Sequence, residues 1–222
     1  QILKLLEPFD LAALAPAPNQ SPGPEAIHLV AEASRLAFAD RNRFLADSDF
    51  IDVPVAKLLD PGYLAARARL IDPAASMGEA SPGLPAQQAL SPGLQEPPST
   101  SHLSVVDRNG NAVSMTASIE GAFGSHLMAR GFMLNNELTD FSFRPSDGGL
   151  PVANRVQPGK RPRSSMSPTL VLDRDGRFVM AIGSPGGSRN LGLTHNAGIA
   201  ALGWNLPSQP ARVRPHIRNR PR

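Results

Sequence analysis

Cysteine is absent from all 222 residues, which excludes disulfides, thiolate nucleophiles and Cys-ligated metal sites while leaving the compartment undecided. Aromatic residues are scarce, at 5%, whereas a nucleic-acid face calls for spread positive charge with interleaved aromatics. The charge behind a pI near 9.9 is not spread: Arg212, Arg214, Arg218, Arg220 and Arg222 crowd the last eleven residues. Taking those five from the net +3 leaves −2 for the remainder. A basic nucleic-acid-binding module therefore rests on the tail alone, and no nucleic-acid partner is expected. No apolar run approaches the roughly 20 residues of a membrane span. The opening Gln1-Ile2-Leu3-Lys4-Leu5-Leu6-Glu7 lacks the basic start, apolar core and cleavage site of a secretory signal. His28, His102, His126, His195 and His216 show no ligand spacing with carboxylates, so no metal is expected. Neither a Lys-bearing phosphate loop nor a G-x-G-x-x-G fingerprint occurs, and no cofactor is expected.

What is present suits a globular protein: 41% hydrophobic and 18% charged residues, enough for a real core. Gly23-Pro24 opens a predicted helix to Leu45, with Ile27, Val30, Ala31, Ala37, Phe38 and the small Ser34 sharing one face. Asp60 caps a second predicted helix, Pro61 to Ile71. From Pro73 to Ser99, six prolines alternate with glycines and serines, the composition of a linker. Beyond it the texture becomes β. Two hairpins are predicted, Leu103 to Val106 with Ala112 to Thr116 around Asn109-Gly110, and Thr169 to Leu172 with Arg177 to Ile182 around Asp175-Gly176. Their apolar runs suit strands covered on two faces, implying a sheet core with helices outside. Asn135 to Ser167 reads as a long irregular stretch of the kind that carries function. Leu191 to Trp204 reads as a helix, and the Pro/Arg-rich end as unstructured.

The local chemistry admits several readings. Cleavage before Thr100 would make it an N-terminal residue whose α-amine serves as base for its own hydroxyl, though Ser99-Thr100 beside prolines also reads as ordinary loop. Gly183-Ser184-Pro185-Gly186-Gly187, between a strand and a helix, can aim backbone N–H groups at an anion or be a plain turn. Ser164 and Ser165 can donate to a carboxylate, while Glu137 and Asp140 can hold an ammonium group; each alone also suits a solvated loop.

Taken in order, these blocks resemble the γ-glutamyltransferase family. Thr100-Ser101-His102-Leu103-Ser104-Val105-Val106-Asp107 with Asn109-Gly110-Asn111 is similar to the start of the family's small subunit. Leu134-Asn135-Asn136-Glu137 with Asp140-Phe141-Ser142, Lys160-Arg161-Pro162 with Ser164-Ser165-Met166-Ser167, and Gly183-Ser184-Pro185-Gly186-Gly187-Ser188-Arg189 follow in the family's order. His28 to Ala33 with Ala39-Asp40-Arg41 resembles the end of the large subunit. The resemblance implies an α+β fold, the αββα sandwich of N-terminal-nucleophile hydrolases, incomplete in this chain. Residues 1–99 would be the end of a large subunit with its linker at 73–99, 100–205 the small catalytic subunit, and 206–222 a divergent, disordered basic tail with a truncated or frame-shifted end. It further implies self-cleavage between Ser99 and Thr100 and attack by Thr100 on γ-glutamyl amides such as glutathione. Ser118 would support the nucleophile, Gly186 and Gly187 hold the oxyanion, Glu137 and Asp140 bind the substrate α-amine, and Ser164 and Ser165 its α-carboxylate. Water or an amino acid or peptide would accept the acyl group, the cleaved large subunit would remain as partner, and the location would be periplasmic or secreted. Glu120 stands where the best-known members have Asn, adding a carboxylate to the substrate pocket, so relatives acting on other acyl amides and catalytically silent relatives are alternatives.

Overall fold

The computed structural model describes residues 1–17, 20–85, 89, 100–186 and 189–204. Ser99, Gly187, most of the expected linker beyond position 85 and the expected tail at 206–222 lie outside the described residues. In chain order the elements are α1 (Ile2–Leu6), α2 (Pro24–Phe44), α3 (Val55–Leu58), α4 (Pro61–Ala68), β1 (Thr100–Val106), β2 (Ala112–Ser118), β3 (Met128–Ala129), β4 (Phe132–Met133), a 3-10 turn (Glu137–Asp140), β5 (Ser146–Asp147), β6 (Leu150–Pro151), β7 (Thr169–Leu172), β8 (Phe178–Ile182), α5 (Arg189–Gly198) and a π turn (Ile199–Gly203). Two units divide them: Gln1–Leu94, Phe141–Arg163 and Ile199–Arg222 form one, Gln95–Asp140 and Ser164–Gly198 the other.

The first unit is built around α2. Pro24 occupies its first turn, where the missing N–H costs nothing, and Glu25 and the pair Arg41 and Arg43 match the helix dipole at its two ends. Its buried ladder is Ala26, Leu29, Val30, Ala33, Leu36 and Ala37, packed with Leu5 and Leu6 of α1, Leu64 and Ala68 of α4, and Ile199, Ala200 and Trp204. Of the expected stripe, Val30, Ser34 and Ala37 are buried, Ala31 and Phe38 are half-buried, and Ile27 is exposed. The buried face also takes in Ala26, Leu29, Ala33 and Leu36, which the expected stripe left out. Two acids on α2 are buried as well. Glu32 accepts from the Ser76 hydroxyl at 3.1 Å and Met77 N at 2.8 Å. Asp40 accepts from the Tyr63 hydroxyl at 2.6 Å, Gly83 N at 2.9 Å and Gln1 Nε2 at 3.0 Å. These bonds pin the described start of the Pro/Gly-rich stretch to the helix, so it is not free up to Gly83. Burial, and then the bond to Asp40, pushes the Tyr63 phenol well above its ordinary value.

Elsewhere in this unit, Arg161 binds Asp47 through its backbone N at 2.8 Å and its guanidinium at 2.7 Å, and Asp49 at 2.6 Å. The Arg161 hydrogen bonds hold the buried Asp47 carboxyl far below the usual carboxylate range. Lys160, also buried, donates to Ala153 O at 2.6 Å and Gln157 Oε1 at 3.0 Å. Burial, with Arg155 adding repulsion, lowers its ammonium pKa.

In the second unit β1 and β2 pair antiparallel, Thr100 opposite Ser118 and Val106 opposite Ala112. The turn is tied by Asp107, whose carboxylate accepts from Asn109 N at 2.8 Å and Asn111 N at 2.9 Å, while Gly110 supplies the left-handed φ of 85°. The β7–β8 hairpin repeats the device with Asp173 and Gly176. Ser114 Oγ, donating to Ile182 O at 3.0 Å, stitches β2 to β8. Among the described residues every sheet has two strands. In this chain Leu103, Val105, Val113 and Met115 on one face of the β1–β2 hairpin are exposed, and the more covered face is the polar one. Alternation tells which residues share a face, but not which face gains a neighbour.

Candidate active site

The period of two along β1 and β2 puts Thr100, His102 and Ser104 on one face, opposite Ser118, Thr116 and Ser114 respectively. Six hydrogen-bonding side chains thus line one side of the hairpin. Thr100 Oγ1 donates to Ser118 Oγ at 3.3 Å. The His102 ring bonds Thr116 Oγ1 through Nδ1 at 2.8 Å and Ser104 Oγ through Nε2 at 3.1 Å. His102 also packs on Gly183, where an added Cβ would overlap the ring. Two residues from the candidate nucleophile, β1 therefore meets the start of the glycine loop. Gly186 is buried, with φ of 128° that favours glycine; Gly187 lies outside the described residues.

Past β2 the backbone turns sharply. Glu120 adopts φ of 65°, a conformation unusual for a residue with a Cβ, and its N–H donates to Ser118 Oγ at 2.9 Å. Its side chain is buried. The carboxylate accepts from Asn136 Nδ2 and from the Thr139 hydroxyl. Asn136 returns the contact, its Oδ1 accepting from Gly121 N at 2.8 Å and its N–H donating to Ile119 O at 3.3 Å. Gly124, at φ of 52°, meets Leu134 O so closely that no Cβ fits, which closes the intervening loop. The result is that the 3-10 turn bearing Glu137 and Asp140, both half-buried, is bonded to the residues just after Ser118.

The structure thus links Thr100, Ser118, Glu120 and the turn of Glu137 and Asp140 through one hydrogen-bonded chain. Ser165 is buried, and Ser164 is exposed with its Oγ accepting from Met166 N at 3.1 Å. The carboxylate of Glu120, expected to add charge to a substrate pocket, is bonded to this chain's own Asn136 and Thr139. His102, Asn136 and Thr139 organise the site without having been assigned a role in it from sequence. The two-residue spacing of His102 from Thr100 was a usable signal, whereas nothing local marks Thr139. Among the described residues no group of three or more His, Cys, Asp or Glu is placed to hold a metal, and no helix is long and apolar enough to cross a membrane.

Compared with solved structures, the chain resembles cephalosporin acylase from Bacillus halodurans with a TM-score of 0.70 over 95% of this chain and 34% of that one, at 23% identity. Its fold is that of the N-terminal-nucleophile hydrolases, α+β, of which it holds a part. Residues 1–221 match the family model for gamma-glutamyltranspeptidase, and the chain belongs to that family. A glutathione hydrolase proenzyme of Pseudomonas aeruginosa is 44% identical over 73% of this chain and 29% of its own length. One from Pseudomonas sp. strain A14 is 39% identical over 95% and 36%. The acylase ACY 1 proenzyme of Pseudomonas sp. strain SE83 is 36% identical over 98% and 36%. The chain spans about a third of the length of the curated relatives it matches.

Proposed function

We propose that this chain is the nucleophile-bearing part of a self-processing enzyme that hydrolyses γ-glutamyl amides or transfers their acyl group. The observation that carries the reading is Thr100 at the first position of β1, its hydroxyl bonded to that of Ser118, in a chain whose relatives are named proenzymes. In the precursor, Thr100 Oγ1 attacks the Ser99 carbonyl carbon, the Ser99–Thr100 amide C–N bond breaks, and an ester and a free amine result. Water then opens the ester. Residues up to Ser99 belong to the larger product, which stays as partner, and Thr100 heads the smaller one.

In turnover, the freed α-amine accepts the Thr100 hydroxyl proton as the oxygen attacks the γ-carbonyl. Amide N–H groups at Gly186 and Gly187 hold the developing oxyanion. Glu137 and Asp140 bind the substrate ammonium, and Ser164 and Ser165 its carboxylate, through charge-assisted hydrogen bonds. The leaving amine departs with a proton, and the acyl ester passes to water or to an amino acid or peptide. Glutathione is the donor that the names of the relatives support, and a periplasmic or secreted location accords with this reading. Its test is release of the aniline from a γ-glutamyl anilide by the full-length protein and by Thr100→Ala. Release at equal rates from both would refute it.

The likeness to acylases favours a second reading, in which the acyl group lacks an α-amine. Equal kcat/KM for glutaryl and γ-glutamyl anilides would favour it.

A further inference from the structure

We propose that His102 is a positioning residue whose imidazole clamps the start of the glycine loop, so that the loop amides are aimed at the oxyanion before the substrate arrives; this rests on the γ-glutamyl reading above. Three observations carry it. The ring lies on Gly183, where an added Cβ would overlap its Cε1, Nδ1 and Nε2 atoms. Hydroxyls hold both ring nitrogens and keep it from swinging aside, Thr116 Oγ1 at 2.8 Å across the strand pair and Ser104 Oγ at 3.1 Å along β1. One residue earlier, Ile182 O accepts from Ser114 Oγ at 3.0 Å, and Ser114 is the cross-strand partner of Ser104 on the same polar face. The face that carries Thr100 therefore holds both the end of β8 and the first residue of the loop.

Gly183 is not one of the left-handed glycines, so its backbone would admit alanine, and the demand for glycine comes from the ring, whose atoms are the three nearest to the missing Cβ. Only Ser184 and Pro185 stand between Gly183 and Gly186. Proline fixes its own φ and restricts the residue before it, so a shift of Gly183 is passed on to Gly186 more than it is absorbed. Misplacement of about an ångström at a group that stabilises developing charge costs rate steeply. His102 itself does not touch the reacting atoms: it stands two residues, about 6.7 Å, along β1 from Thr100, with its nitrogens turned to Thr116 and Ser104.

The test measures KM, and kcat per cleaved molecule, for the full-length protein on γ-glutamyl anilide. Formation and opening of the acyl ester both pass through an oxyanion, so a loosened loop lowers kcat and leaves KM nearly unchanged. His102→Ala lowers kcat about 10- to 100-fold, with KM within about threefold of wild type. Gly183→Ala, which drives a methyl into the ring, lowers kcat at least as much. In the double variant the methyl has no ring to strike, so kcat stays within about threefold of His102→Ala instead of falling by the product of the two losses. Thr116→Val, which frees the ring from one of its two holds, lowers kcat about three- to tenfold in the wild-type background and changes nothing in His102→Ala. Wild-type kcat in His102→Ala, a change in KM in place of kcat, or a Gly183→Ala loss of the same size with and without the ring would each overturn the proposal. If either alanine variant does not fold, the kcat-against-KM split of Thr116→Val decides alone, and wild-type kcat there overturns the clamp. A wild-type protein that fails to turn over the anilide overturns the γ-glutamyl reading and this proposal with it, whereas the contrary variant pattern in an active protein overturns only the proposal.

Discussion

Removing the Ser118 hydroxyl probes the hydrogen bond made by Thr100, the proposed nucleophile. In Ser118→Ala, Thr100 Oγ1 loses its acceptor at 3.3 Å and Glu120 N–H its acceptor at 2.9 Å. The first bond is longer than the usual O–H···O distance of about 2.8 Å, so its ground-state worth is at the low end of about 0.5–1.5 kcal/mol. The larger effect comes as Thr100 reacts: a hydroxyl beside developing negative charge makes a bond roughly twice as strong as a neutral one. A transition-state loss of about 1.5–3 kcal/mol follows, which slows self-cleavage about 10- to 150-fold. Ser118→Thr keeps the hydroxyl on the same strand face and should stay within about fivefold of wild type. The assay follows conversion of freshly made full-length precursor into two chains by intact mass, with urea unfolding to confirm that the variant is folded. A Ser118→Ala precursor that cleaves within about twofold of the wild-type rate would refute the reasoning.

Two further perturbations address the first unit. Asp40→Ala strands the Tyr63 hydroxyl and Gly83 N–H, whose bonds to Asp40 are 2.6 and 2.9 Å, and leaves Arg67 without the carboxylate 3.8 Å away. Urea unfolding should show a loss of about 3–5 kcal/mol, with Asp40→Asn milder because it keeps an acceptor. Asp47 predicts a pH effect: its folded-state pKa is depressed, so its contribution is complete above the unfolded-state value of about 3.9 and is lost as pH falls towards the folded one. Stability measured from about pH 5 down to pH 2 should therefore fall less steeply in Asp47→Asn than in wild type, and parallel curves would contradict the Arg161 pairing.

Features set by neighbours in sequence were legible before the fold was known. Gly23-Pro24 marks the start of α2, Asp60 caps α4 by accepting from Tyr63 N at 2.7 Å, and Asn109-Gly110 and Asp175-Gly176 mark both hairpin turns. The blocks around Thr100, Glu137, Ser164 and Gly183 identify the family because their order is specific. What was not legible depends on partners distant in the chain. The register of the buried face of α2 follows from what packs on its alanines, and Asp40 and Glu32 are buried because donors 23 to 45 residues away satisfy them. Glu120 is the clearest case. Substitution of an acid for an amide reads as added charge, and the positive φ and the donors 16 and 19 residues downstream that meet its carboxylate have no local sign.

In the proposed chemistry Thr100 becomes a chain terminus through its own hydroxyl. Determining the N-terminal residue of the smaller product formed from purified full-length protein tests this most directly. That product should begin at Thr100 in wild type, and the Thr100→Ala protein should remain a single chain. Cleavage at another bond, or equal cleavage of Thr100→Ala under the same conditions, would contradict it.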